Sequence, residues 1–121
     1  MESLEKVFNT NIHTGLNLSG HTNPTLENIG FKTHKIHLQN FERIEKAICE
    51  ELQGVLDADN KEVFVVLPSL KIAIPYVIAY IYGYTGKLPT IVALKRNEQG
   101  EYLPNRFINL FDVAKKARTN R

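Results

Sequence analysis

The chain has one cysteine, one methionine and no tryptophan among 121 residues. A single thiol, Cys49, excludes an internal disulfide and any metal site built from several cysteines. It falls inside a helical pattern and reads as a small buried packing residue. An excess of one charge is missing too, since 15 lysines and arginines against 13 acids leave a formal charge of +2. That balance provides no coat for nucleic acid or for a lipid surface. No apolar run reaches the roughly 18 residues that span a bilayer. The opening Met1-Glu2-Ser3-Leu4-Glu5-Lys6 lacks the apolar core of a signal peptide, so a cytoplasmic protein is expected. The P-loop, the GxGxxG turn, the nucleophile-elbow serine and the zinc spacings are all absent. A conventional triphosphate, dinucleotide or metal enzyme is not expected, and neither is a cofactor.

What the chain does have is one dominant stretch, residues 63 to 94. Val63-Phe64-Val65-Val66-Leu67 is an unbroken apolar run, the mark of a strand buried on both faces as in a parallel sheet. Pro68-Ser69 breaks it, and Ser69 is typed to cap a helix beginning near Leu70. That helix is apolar on nearly every side through Tyr82, which places it deep in the molecule or in a subunit interface. Gly83 and Gly86 supply its stop, and Thr90-Ile91-Val92-Ala93-Leu94 is a second apolar strand. Together these form one βαβ unit. Ligands of open α/β sheets settle at the C-terminal ends of the strands, so Pro68-Ser69-Leu70-Lys71 is the first place to look for function.

The flanks fill in the same architecture. Residues 1 to 14 read as an accessory arm in which Leu4, Val7 and Phe8 make one helical turn. Gly15-Leu16-Asn17-Leu18 is a short strand that runs into Ser19-Gly20-His21-Thr22-Asn23-Pro24. This hydroxyl- and amide-rich segment is either a surface turn or a loop for phosphate or ribose. Thr25 to Ile29 is a short helix ended by Gly30, and Lys32 to Leu38 a strand near the sheet edge. His34 and His37 stand three apart, a metal-binding spacing only on a helix, and no metal site is expected there. Asn40 caps an amphipathic helix carrying Phe41, Ile44, Ala47, Ile48, Leu52 and Val55, with pairs such as Glu42 to Lys46 on its wet side. The Asp57-Ala58-Asp59-Asn60 cluster is an exposed turn rather than a catalytic pair. Lys95 to Glu101 is a polar connection whose far end Pro104 keeps from pairing freely, and Arg106 to Leu110 is a last short strand. Asp112 to Ala117 is a terminal helix, and the cations of its tail complement the helix dipole or form an anion-binding rim. The expected fold is α/β, a single domain over residues 15–121 with a mostly parallel sheet of about five strands flanked by helices.

Several strings carry a resemblance. They are Leu67-Pro68-Ser69-Leu70, the helix end Tyr82-Gly83-Tyr84-Thr85-Gly86, Leu88-Pro89-Thr90-Ile91, Ile108-Asn109-Leu110 and the terminal Ala117-Arg118. With Leu18-Ser19-Gly20-His21 after the first strand, the chain resembles the small CARF-like CRISPR-associated accessory proteins of type III loci. The resemblance covers Leu16 to Arg121, and it departs in the leader and in the short segment between the first two strands. It implies a Rossmann-like homodimer, or a higher assembly with ligand bound, that handles cyclic oligoadenylate, above all cyclic tetra-adenylate. Proteins of this kind cleave the ring, sense it for an effector or sequester it. The chain is too short for an effector domain, which leaves sequestration first and metal-independent ring cleavage second.

The residues suit such a ligand. A ring of four adenylates matches a two-fold dimer that presents one patch twice. The helix start at Ser69-Leu70-Lys71, after Pro68, offers amide N–H groups to a phosphate, Lys71 a charge, and Ser69 and Ser19 hydroxyls. Gly20 permits close approach, while Asn17, His21, Thr22 and Asn23 read ribose or adenine edges. Arg106, Lys115 and Arg118 reach a phosphate from the side, and Tyr82 and Tyr84 stack on a base or simply pack. For cleavage, the ribose 2′-OH attacks its own phosphate with His21 as general acid or base and Lys71 stabilising the charge. A third reading, from a different class, is an interaction module whose apolar helix builds an oligomer.

Overall fold

The computed structural model describes residues 3–36, 43–56 and 61–121. Five strands form one sheet in the order β2-β1-β3-β4-β5. They are β1 (His13–Asn17), β2 (Lys32–Thr33), β3 (Glu62–Val66), β4 (Thr90–Arg96) and β5 (Tyr102–Asn109). The first four run parallel, and β5 turns back antiparallel along β4. The helices are α1 (Leu4–Val7), α2 (Pro24–Ile29), α3 (Ile44–Leu52), α4 (Ala73–Thr85) and α5 (Leu110–Thr119). The expected α/β sheet of five mostly parallel strands is therefore what the chain builds.

Strand β3 is the axis of the packing. Val63 and Val65 face a core made with Leu16, Leu18 and the inner stripes of α3 and α4. Phe64 and Val66 face the opposite core, made with Leu4, Phe8, Leu26, Phe31 and Val92. Leader residues Leu4 and Phe8 are thus buried under the sheet. Close approach is built in at Gly15, where a Cβ would sit 2.7 Å from the Phe31 ring. At the end of α4, Gly86 takes a left-handed φ of 76° and closes the helix with a hydrogen bond to the Tyr82 carbonyl.

Several expectations need correction. Helix α4 begins at Ala73, not near Leu70, and its N-cap is Ile72 with no side-chain cap, so Ser69 caps nothing. Pro75 explains the shift. In a helix started at Leu70 it would lie in the interior and leave the Lys71 carbonyl without its partner, whereas from Ala73 it sits in the first turn, where no N–H is needed. Strand β5 starts four residues earlier than expected and contains Pro104, opposite Leu94 beside a register shift. As the edge strand, β5 can turn the side lacking an N–H outward. Strand β2 is only two residues long, and Cys49 is exposed because it lies beside, not on, the Ile44-Ile48-Leu52 stripe. On α4 only Ala73, Val77 and Ile81 are buried, so the helix shows solvent an uncharged outer face. The expected cap at Asn40, the strand residues His37 and Leu38, the Glu42 pair and the turn at 57–60 lie outside the described residues; Lys46 Nζ stands 3.9 Å from Glu50 Oε1.

At the N-terminal end of the sheet His13 joins strands to leader. Its Nδ1 accepts the Asn9 N–H at 2.9 Å, its ring lies 4.8 Å from that of Phe64, and Nε2 is 3.8 Å from Glu62 Oε2. Burial holds its pKa below the ordinary 6.5, outweighing the opposing pull of Glu62. A histidine kept neutral in the fold contributes stability that is present above the ordinary imidazole value and is lost as pH falls through the lowered folded value. Urea midpoints should therefore drop between neutral and mildly acidic pH, and His13→Gln should flatten that part of the profile.

Candidate functional site

The chain leaves β1 for β2 on one side, then crosses back to place β3 on the other. The strand order thus reverses between β1 and β3, and the loops after them diverge there. A crevice at such a switch point is where open α/β sheets hold ligands. Here a cavity of about 530 Å³ lies beyond the C-terminal ends of β1, β3 and β4. Ser19, His21, Thr22 and Asn23 line one wall, Leu67 and Ser69 a second. A third wall comes from Leu94 and the returning hairpin, residues 100 to 103, which bring the Glu101 carboxylate and Tyr102.

The loop after β1 is built on Asn17. This side chain is 1% exposed, and both ends of its amide are engaged. Its Nδ2 donates to the His21 carbonyl at 2.8 Å, and its Oδ1 accepts the Ser19 N–H at 3.1 Å and the Ser19 hydroxyl at 2.6 Å. Asn17 therefore shapes the loop from below and has no free group for a ligand. Asn23 is similarly committed. Its Oδ1 caps α2 at the Leu26 N–H, and its Nδ2 donates 2.7 Å to the Tyr102 carbonyl, fastening this loop to β5. Gly20, at the tip, has a φ of 91° and open space around its Cα. His21 and Thr22 are exposed, and among the described residues no hydrogen bond holds the imidazole. Beneath the loop, the His34 N–H donates to the Asn17 carbonyl, Nδ1 lies 3.8 Å from Glu51, and Nε2 is buried without a hydrogen-bond partner.

The second wall differs from the expected helix terminus. The amides of Ala73 and Ile74 donate to the Leu70 and Lys71 carbonyls at 3.1 Å each, and Pro75 has none. The first turn of α4 thus has no spare donor for an anion. In the preceding turn, the amides of Ser69, Leu70, Lys71 and Ile72 have no hydrogen bond among the described residues. Pro68 is buried and Leu70 half-buried, while Ser69 and Lys71 are exposed, with Lys71 outside the cavity lining.

Other expected contributors go elsewhere. Arg106 lines a separate cavity of about 270 Å³ with Leu4 and Phe107. Tyr82 and Arg118 line a third cavity, at the N-terminal end of the sheet, and so cannot join Ser19 and Ser69. Glu101 and Tyr102 were missed because Lys95 to Glu101 carries only a polar-loop signal; the alternation that would extend β5 back to Tyr102 is interrupted by Pro104. Among the described residues no three His, Cys, Asp or Glu side chains gather to hold a metal, and no helix is long and apolar enough to cross a membrane. No family model, curated protein or solved structure matches the chain.

Replacing Asn17 with alanine should strand the His21 carbonyl and the Ser19 donors. We expect a loss of about 1–3 kcal/mol in urea unfolding and faster proteolysis within residues 18–23.

Proposed function

We propose that the protein binds and sequesters cyclic oligoadenylate, with cyclic tetra-adenylate as the ligand, and thereby damps type III CRISPR second-messenger signalling. The observation that carries this reading is the convergence of two distant segments, 19–25 and 67–69, on one cavity at the switch point of the sheet. The hydroxyls of Thr22 and Ser69 and the imidazole of His21 suit the sugar edges of a nucleotide, on a loop that the Ser19 hydroxyl braces from within. The unpaired amides of the Ser69-Leu70-Lys71 turn suit its phosphates, with Lys71 adding charge from the rim. A CARF-like, Rossmann-like domain is part of the same proposal, resting on the sequence strings and on the place of the cavity.

The ligand is larger than one such cavity, so the proposal includes a homodimer in which each subunit holds half of the ring. The uncharged outer face of α4 supports it. Ile72 and Tyr76 are 53% and 40% exposed just beyond the candidate site, and Pro75 and Ala79 are exposed on the same face. Apolar surface so placed beside a polar cavity suits an interface. Light scattering should give twice the chain mass, and Tyr76→Glu should reduce it to a monomer that binds ligand weakly. A wild-type monomer with and without ligand would remove the dimer from the reading.

One observation favours a second reading, ring cleavage. Glu101 faces the same cavity as His21, which puts a carboxylate and an imidazole on one site. A single experiment separates the two readings. Protein in molar excess is incubated with labelled cyclic tetra-adenylate, and halves are run on native and denaturing gels. A shifted band with the ring intact supports sequestration, and Lys71→Ala should then weaken binding about tenfold. A linear product that disappears in His21→Ala supports cleavage. No shift and no product would sink both, leaving an interaction module built on α4.

A further inference from the structure

At the opposite end of the sheet a cavity of about 500 Å³ opens between the C-terminal end of α4 and α5. It shares no lining residue with the site above. At this cavity is the carboxylate of Glu62, the first residue of β3, and it is held in place from two neighbouring strands. Glu62 Oε1 accepts the Thr90 hydroxyl at 2.7 Å and the Asn109 amide at 3.3 Å. Those two bonds fix the side chain across β3, β4 and β5. Among the described residues the other oxygen, Oε2, receives no hydrogen bond, and His13 Nε2 stands 3.8 Å from it. The Glu62 side chain is 32% exposed, so this oxygen is open to the cavity and can accept a donor that a ligand brings.

The surrounding groups narrow what that donor belongs to. Tyr82 and Phe111, from the two helices, are 54% and 49% exposed at the cavity, which leaves two aromatic rings without cover. Leu88 and Ala114 add apolar lining, and two cationic residues line the cavity, Lys87 after α4 and Arg118 in the last turn of α5. Apolar walls with a few convergent polar groups are the ordinary make-up of a small-molecule site. From these we infer that the groove between α4 and α5 is a second ligand site. It takes a small aromatic molecule bearing an amino group at one end and an anionic group at the other. The amino group donates to Glu62 Oε2, the ring lies against Tyr82 and Phe111, and the anion pairs with Arg118. A nucleoside monophosphate with an exocyclic amino group has this layout, whereas an aromatic amino acid carries both charged groups on one carbon and does not.

The test is a titration of ¹⁵N-labelled protein with adenosine 5′-monophosphate and, separately, with L-tryptophan, followed by amide chemical shifts. We expect adenosine 5′-monophosphate to shift Gly86, Asn109 and Ala114 saturably, with Ser19 and Ser69 unmoved, and L-tryptophan, whose charged groups share one carbon, to give no such shift. Glu62→Gln presents an amide N–H where the acceptor stood and should weaken binding at least about tenfold. Because that change also touches the ties to Thr90 and Asn109, the exposed Arg118→Ala provides an independent check and should weaken binding with the fold intact. The inference fails if adenosine 5′-monophosphate gives no saturable shift at millimolar concentration, if L-tryptophan shifts the same residues as strongly, if the shifts fall at residues 19–25, or if Arg118→Ala binds as wild type does. None of these results bears on the ring-binding assay at the other end of the sheet.

Discussion

Everything in this structure depends on β3 being buried on both faces. Val63, Phe64, Val65 and Val66 are all at most 4% exposed, and burying each contributes about 1.5–3 kcal/mol. A strand so apolar has to be covered above and below, which is why α3 and α4 pack on one side and α1, α2 and Phe31 on the other. It also has to be flanked, so β1 and β4 pair along its two edges. Once β1 and β3 are neighbours with β2 outside β1, the loops after them part at the C-terminal end. The candidate site follows from satisfying the hydrophobic demand of four residues.

The elements with strong local signals were legible in the sequence. The run Val63 to Leu67 announced β3, and Thr90 to Leu94 announced β4. Gly30 and Gly86 marked helix ends that both turned out to be glycines with positive φ. What misled was competition between two local rules. Ser69 looks like an N-cap, but Pro75 six residues on forbids the helix that such a cap would start. A proline that lacks an N–H constrains the backbone more strongly than a serine that merely offers an acceptor. The displaced helix start in turn removes the dipole-end phosphate site and replaces it with the unpaired amides of a turn.

Long-range placement was the other illegible part. Periodicity says that Ser69, Tyr82 and Arg118 flank or occupy helices, but not at which end of the sheet they finish. Helix α4 has 13 residues at about 1.5 Å each, so its ends stand roughly 20 Å apart. A tyrosine at its last turn cannot stack on a base held at its first. The same geometry gives the molecule two chemically distinct ends. Hydroxyls, an imidazole and unpaired amides gather where the parallel strands finish. A tethered carboxylate, two uncovered aromatic rings and a guanidinium gather where they begin.

The character of the upper cavity bears on whether a bound ring would be held or cut. Cleavage by a neighbouring 2′-OH needs an acid or base fixed within hydrogen-bond reach of the reacting oxygens, and such groups are normally oriented by a second partner. His21 is carried on a loop whose backbone is braced by Asn17 and Ser19, yet its imidazole has no partner among the described residues. Glu101 sits on the hairpin next to Gly100, its N–H tied to Asn97, with no described contact orienting its carboxylate. The backbone around both residues is therefore tied down, while no contact among the described residues orients their reactive atoms. Binding tolerates that arrangement, because hydroxyls and turn amides supply hydrogen bonds without a defined proton path. Catalysis would require the ligand itself to orient both side chains, a demand that sequestration does not make.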